Sequence, residues 1–130
     1  MIVDSSAMVA MLRREPEARA MFSALTDEGS GSISAANFLE TAIVVDGNRD
    51  PVLSARLDAM LAKLKVAIEP VTEAQAKLAR QAYRDFGKHS GHPARLNFGD
   101  CFAYALATER GEPLLYKGDD FAAAGMARVA

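Results

Sequence analysis

The chain has a single cysteine, Cys101, among its 130 residues, so no disulfide can form within it. Without a disulfide framework, a reducing cytoplasmic compartment is the expected setting. A basic excess is missing too: 15 lysines and arginines face 17 aspartates and glutamates, for a formal charge of -2. No cationic tail announces a nucleic-acid ligand, although a local basic rim is compatible with an acidic total. No run approaches the roughly 18 apolar residues that a membrane span requires. The opening MIVDSSAMVAML is apolar, but it lacks a basic n-region and already carries Asp4, so no secretory leader is expected. Repeats and low-complexity tracts are absent as well. What is there is a 50% hydrophobic chain whose length suits one domain, 1–130, with a real core.

Hydrophobic periodicity divides the chain into short strands and longer helices. Met1–Val3 reads as a buried strand that ends at an acid, and Asp4-Ser5-Ser6 offers cap chemistry for a helix over Ala7–Arg13. Pro16 suits the first turn of a second helix, with Ala18, Met21, Phe22 and Leu25 inward. Ser32–Ser34 is too short to assign as a strand on its own. A helix is expected from about Ala35 to Asp46, with Ala36, Leu39, Ile43 and Val44 facing the core. Pro51 opens another, presenting Leu53, Leu57, Met60, Leu61 and Leu64. Val66–Ile68 reads as a strand, Glu73–Phe86 as a helix and Gly87–Arg95 as a polar loop. Asn97 to about Arg110 is helical, Leu114–Tyr116 a short strand, Lys117–Asp120 a turn, and Met126–Val129 a final edge strand. Short strands separated by helices predict an α/β domain with a small parallel sheet, because parallel strands need long crossovers. In such sheets the functional crevice lies at the carboxyl ends of the strands.

Acids follow those strand ends. Asp4 closes the first strand, and Asp119 and Asp120 follow the strand at 114–116. Asp100 stands in the first turn of the preceding helix, and Glu40 in the helix after Ser34. Each has a plain structural alternative. Asp4 can be a helix cap, Asp100 the far half of a capping box opened by Asn97, and Asp119 and Asp120 turn residues beside Gly118. Glu40 is harder to dismiss, because it is expected to project from an apolar stripe. A buried, unpaired carboxylate costs several kcal/mol, so a positive partner is expected there. Clustered carboxylates repel one another and raise each other's proton affinity. A divalent cation resolves the conflict, and magnesium accepts carboxylates, waters and phosphate oxygens. The same ion can polarise a phosphodiester and activate a water.

The stretch MIVDSSAMVAML resembles the opening of PIN-domain toxins of the VapC family. ISAANFLETAIVV resembles that family's second motif, LNFGDCFAYALA its third and PLLYKGDDF its fourth. The likeness runs in order along nearly the whole chain. It implies a PIN-like three-layer α/β fold, with a small parallel sheet flanked by helices. It implies a magnesium-dependent endoribonuclease, with manganese as a possible substitute ion, acting as the toxin of a type II toxin–antitoxin pair. It places Asp4 and Asp100 on the metal, with Glu40 and Asp119 completing the catalytic acids and Ser6 at a supporting polar position. Because Gly118-Asp119-Asp120 is compact, Asp120 is an alternative for the fourth acid. The resemblance also implies a homodimer and a cognate VapB-like antitoxin that enters the acidic groove.

Several other residues carry two readings. Lys88, Arg95 and Lys117 flank the expected crevice in sequence and are candidate contacts to RNA phosphates, or ordinary surface charge. His89 and His92 form H-x-x-H, but two histidines lack the remaining ligands of a zinc site, and a solvated loop is expected. Cys101 is expected to be a buried free thiol. The competing function is an aspartate-based phosphatase or a receiver-like domain built on Asp4. Ser6 stands where such phosphatases want a second aspartate, and no early acidic pair exists for a receiver. A non-catalytic binding protein that keeps the fold is a third reading, disfavoured by the presence of every matched acid.

Overall fold

The computed structural model describes residues 1–130. In chain order the elements are β1 (Ile2–Val3), α1 (Ser5–Leu12), α2 (Ala18–Glu28), β2 (Gly31–Ser34), α3 (Ala35–Gly47), α4 (Pro51–Lys63), β3 (Val66–Glu69), α5 (Glu73–Phe86), α6 (Phe98–Arg110), β4 (Leu114–Leu115) and α7 (Asp120–Ala123). The strands form one sheet in the order β3-β2-β1-β4, and every pairing is parallel. The helices between them are the crossovers that parallel pairing demands. No helix is long and apolar enough to cross a membrane.

Adjacent strand residues point to opposite faces, and β1 and β4 use this to build a core on each side of the sheet. Val3 and Leu115 face the larger cluster, packed under α1, α2 and α4 with Met8, Met21, Leu25 and Leu57. Ile2 and Leu114 face the other, packed under α5 and α6 with Leu96, Ala103, Leu106 and Tyr116. The result is helix, sheet, helix, the expected three-layer α/β arrangement. β1 and β4 are apolar throughout because both their faces are covered.

Local chemistry sets the helix ends. Asp50 caps α4, accepting from the Val52 amide at 3.0 Å, and Pro51 occupies the first turn, where its missing N–H costs nothing. Asn97 and Asp100 form a reciprocal capping box at the start of α6. Gly29 ends α2 in the left-handed region at φ 87, a conformation that favours glycine.

The expected orientation of α3 is wrong. Leu39, Ile43 and Val44 are 57%, 63% and 41% exposed, and the helix buries Asn37, Thr41 and Val45 instead. The inward side combines Phe38, Ala42 and Val45, which pack on the larger core, with Asn37, which is drawn in by its hydrogen bond to the Gly99 carbonyl. The expected C-terminal strand shrinks to a single bridge between Leu114 and Arg128. Helix α1 begins at Ser5, immediately after its cap, and the short helix α7 is an element that periodicity did not reveal.

Candidate active site

The carboxyl end of β1 delivers Asp4 directly to the N-terminus of α1. Its Oδ2 accepts from the Ser6 amide at 2.9 Å, so the residue is a true helix cap. Its Oδ1 is buried and has no hydrogen-bond partner. The side chain is 1% exposed, and burial pushes its carboxyl up from 3.8 to about 7. The Ser6 hydrogen bonds pull the other way, and the charges of Asp100 and Glu40 raise it further.

Ser6 also ties two elements together, because its Oγ accepts from the Lys117 amide just past β4 at 3.0 Å. The carboxyl end of β2 is built similarly: Ser34 caps α3, accepting from the Ala36 amide at 3.3 Å. One and a half turns on, α3 presents Glu40 at the start of α6. Glu40 Oε1 accepts from the Ser5 hydroxyl and from Asn37 Nδ2 at 3.3 Å. The cationic partner expected for Glu40 is therefore replaced by two neutral donors, and the carboxylate is only partly buried.

Asp100 is the far half of the expected capping box. Oδ2 accepts from the Asn97 amide at 3.0 Å while the Asp100 amide donates to Asn97 Oδ1 at 2.9 Å. The capping box fixes the carboxylate at the mouth of the same cleft. Burial raises its proton affinity, with Asp120 and Glu40 adding to the effect and Lys88 opposing it.

Asp4, Glu40 and Asp100 thus share one open cleft of about 370 Å³, with Ser5, Ser6, Thr41 and Asn97 in its walls. No group of three or more histidine, cysteine, aspartate or glutamate side chains stands close enough together to hold a metal ion by itself. The donors nevertheless suit a hard cation that keeps most of its water. They are all oxygens, and Asp4 Oδ1 is an orphaned buried acceptor at a carboxylate that resists ionising alone.

Of the remaining expected residues only Lys117 reaches the cleft. Asp119 lies outside the cleft, fully exposed and paired with Arg128 at 3.2 Å. Asp120 also does not line it, but its charge acts on Asp100. Lys117 reaches the cleft, yet its ammonium is paired with Glu15 and lies 3.4 Å from Glu17. Arg95 is exposed in the left-handed region at φ 54, away from the cleft, and Lys88 lies along the neighbouring groove. His92 Nδ1 accepts from the Ala94 amide at 3.0 Å and its ring packs edge-on against Phe86, so it shapes the loop. Cys101 is a buried thiol pushed up to about 11.

Sequence reasoning missed Ser5, Asn37 and Gly99. Asn37 is fully buried and bridges the two helices, donating to Glu40 and to the Gly99 carbonyl at 2.9 Å. Gly99 has no room for a side chain, because a Cβ there would lie 2.2 Å from Glu40 Oε2. The i, i+3 spacing of Asn37 and Glu40 was the available signal for the first. Nothing local in the sequence points to the second.

Comparison with known proteins places these features in a family context. The PIN domain family model matches residues 1–126. The chain is 55% identical over 129 residues to Ribonuclease VapC28 of Mycobacterium tuberculosis, covering 99% of this chain and 97% of that protein. It is 43% identical over 129 residues to Ribonuclease VapC of Mycolicibacterium smegmatis, with 99% of each covered. The crystal structure of Mycobacterium tuberculosis VapC20, a Sarcin-Ricin loop cleaving toxin, superposes with a TM-score of 0.74 at 20% identity, covering 98% of this chain and 97% of that one.

Proposed function

The chain belongs to the PIN-domain family and to its VapC ribonucleases, and on that premise we propose that it is a magnesium-dependent endoribonuclease toxin. The observation that carries the metal-dependent part is the Asp4 carboxylate. It is buried, has one oxygen without a partner, and shares a cleft with Glu40 and Asp100. Left alone it holds a proton near neutral pH, and a cation is what would make its ionised form stable.

Asp4 and Asp100 are the residues that would hold the ion, each using the oxygen its cap leaves free. When bound, magnesium supplies Lewis acidity toward a phosphodiester and lowers the pKa of a water. Glu40 is anchored through Oε1 by Ser5 and Asn37, which orients the carboxylate at the cleft as an acceptor for a proton from attacking water. The fourth acid of this reading is drawn from the adjacent pair Asp119 and Asp120, of which Asp119 is exposed and paired with Arg128 and Asp120 opens α7. Ser6 holds the end of β4 against α1 and so keeps the cleft floor in register. The same proposal includes a homodimer and a cognate antitoxin whose segment fills the acidic cleft in place of RNA.

The test is cleavage of structured RNA by the purified chain with magnesium, with manganese and with chelator. Asp4→Asn and Asp100→Asn are each expected to lower cleavage by at least a hundredfold while circular dichroism stays unchanged. Cleavage that survives chelation, or full activity in both variants, would remove the metal and these carboxylates from the reaction. Phosphate release from small esters without any RNA cleavage would favour the phosphatase instead.

A further inference from the structure

A second groove, of about 830 Å³, runs between α5 and α6 and shares Asn97 with the acidic cleft as a common wall. Its composition is unlike that of the cleft. Tyr83, Phe98 and Phe102 supply aromatic surface, while Arg80, Arg84 and Lys88 supply charge. Arg80 and Arg84 stand at i and i+4 on one face of α5, one turn of about 5.4 Å apart, and Lys88 follows just past the end of the helix. All are exposed, and none takes part in a salt bridge. In a chain of net charge -2, a row of unpaired cations on one face is a local field and not the average of the surface.

Phe98 is the other unusual feature. It is 79% exposed, more than any other large apolar side chain, yet it is held in place by an edge-on contact with Phe102 at 4.9 Å. It is two residues before Asp100. A fixed, exposed ring beside a cationic row offers a stacking face with phosphate contacts at hand, the combination used to hold unpaired nucleotides. A duplex has no free base to stack there.

We propose that the α5–α6 groove is a binding track for single-stranded RNA, with an unpaired base on Phe98 and phosphates on Arg80, Arg84 and Lys88. The track leads the strand past Asn97 to the acidic cleft. This rests on the ribonuclease reading and deepens it: the acidic cleft repels a polyanion, and the neighbouring groove supplies the attraction that the cleft cannot. Lys88 lines the groove, which meets the cleft at Asn97.

The test is fluorescence anisotropy of labelled single-stranded oligouridine with the full chain in chelator, repeated across salt concentrations. The wild type is expected to bind, with a duplex of equal length competing poorly. Phe98→Ala is expected to weaken binding about tenfold, and Phe98→Trp to retain it. Arg80→Gln with Arg84→Gln is expected to lower the slope of log affinity against log salt by about 1.4, the share of two phosphate contacts on a single strand. Thermal denaturation confirms that each variant folds. Unchanged affinity and slope in all of these variants would overturn the track. If the wild type meanwhile cleaves RNA with magnesium, the ribonuclease reading survives that failure. A wild type that neither binds nor cleaves RNA sinks both. Unchanged RNA affinity with a loss of self-association in Phe98→Ala, seen by sedimentation, would overturn the track and assign the groove to a second copy of the chain.

Discussion

Gly99 lacks a side chain because Glu40 occupies the space one would need. A methyl group there would press on Glu40 Oε2 at 2.2 Å, and the other atoms of the carboxylate lie little further away. Either the glutamate swings out of the cleft or the first turn of α6 moves, and both disturb the site. Gly99→Ala is therefore expected to lower RNA cleavage at least tenfold while the melting temperature drops by only a few degrees, measured by steady-state cleavage and calorimetry. Asn37 works from the opposite side. It is buried, donates to Glu40 and to the Gly99 carbonyl, and its own backbone carbonyl accepts from Thr41 Oγ1 at 2.8 Å. Asn37→Ala leaves the Gly99 carbonyl without its donor, a loss of about 1–3 kcal/mol of stability by denaturant unfolding. In the proposed reaction these two positions place the Glu40 carboxylate without any acid–base chemistry of their own.

Among the elements, α6 carries the heaviest functional demand at its N-terminus. The capping box supplies a partner for an amide of the first turn and at the same moment orients Asp100. Structure and site therefore share one pair of residues. Asn97→Ala is expected to cost about 1 kcal/mol of stability and to weaken magnesium binding measured by calorimetry. Asp50→Ala removes a comparable cap from α4, far from the cleft, and is expected to cost a similar amount while leaving magnesium affinity unchanged. Equal magnesium affinity in both variants would separate the cap from the site. Helix α3 illustrates the other side of this economy. Its apolar residues Leu39 and Ile43 stay exposed so that Asn37 and Thr41 can serve the cleft.

At the scale of the whole molecule, the buried Asp4 couples folding to pH and, under the proposed function, to metal. Its carboxyl holds a proton to about 7 when folded but only to 3.8 when unfolded. The folded, metal-free chain therefore binds more protons between those values. Stability from this group is complete below about 4 and is lost as pH rises toward 7, a change on the order of 4 kcal/mol. Asp100 is shifted in the same direction. In chelator, the melting temperature is expected to fall between pH 5 and pH 8, and Asp4→Asn to flatten that fall. Magnesium is expected to raise the melting temperature more at pH 8 than at pH 5, because a protonated carboxyl is a poor ligand. A metal-free melting curve independent of pH would show that Asp4 is not the strained group described here.

What the sequence determined by itself was whatever depends on neighbours along the chain. The caps at Asp4 and Asn97, the limits of α5, the parallel α/β class, the positions of Asp4 and Asp100 at strand and helix ends and that of Glu40 within α3 follow from residue type and spacing. The tertiary structure decided what depends on residues distant in sequence. It turned α3 so that polar groups face inward, gave Glu40 neutral donors from Ser5 and Asn37, and left Asp119 to Arg128 while Asp120 acts on Asp100. The physical reason is range. Capping and periodicity act within about one turn of helix, whereas desolvation and the fields between carboxylates exist only once packing has excluded water and brought separate segments together.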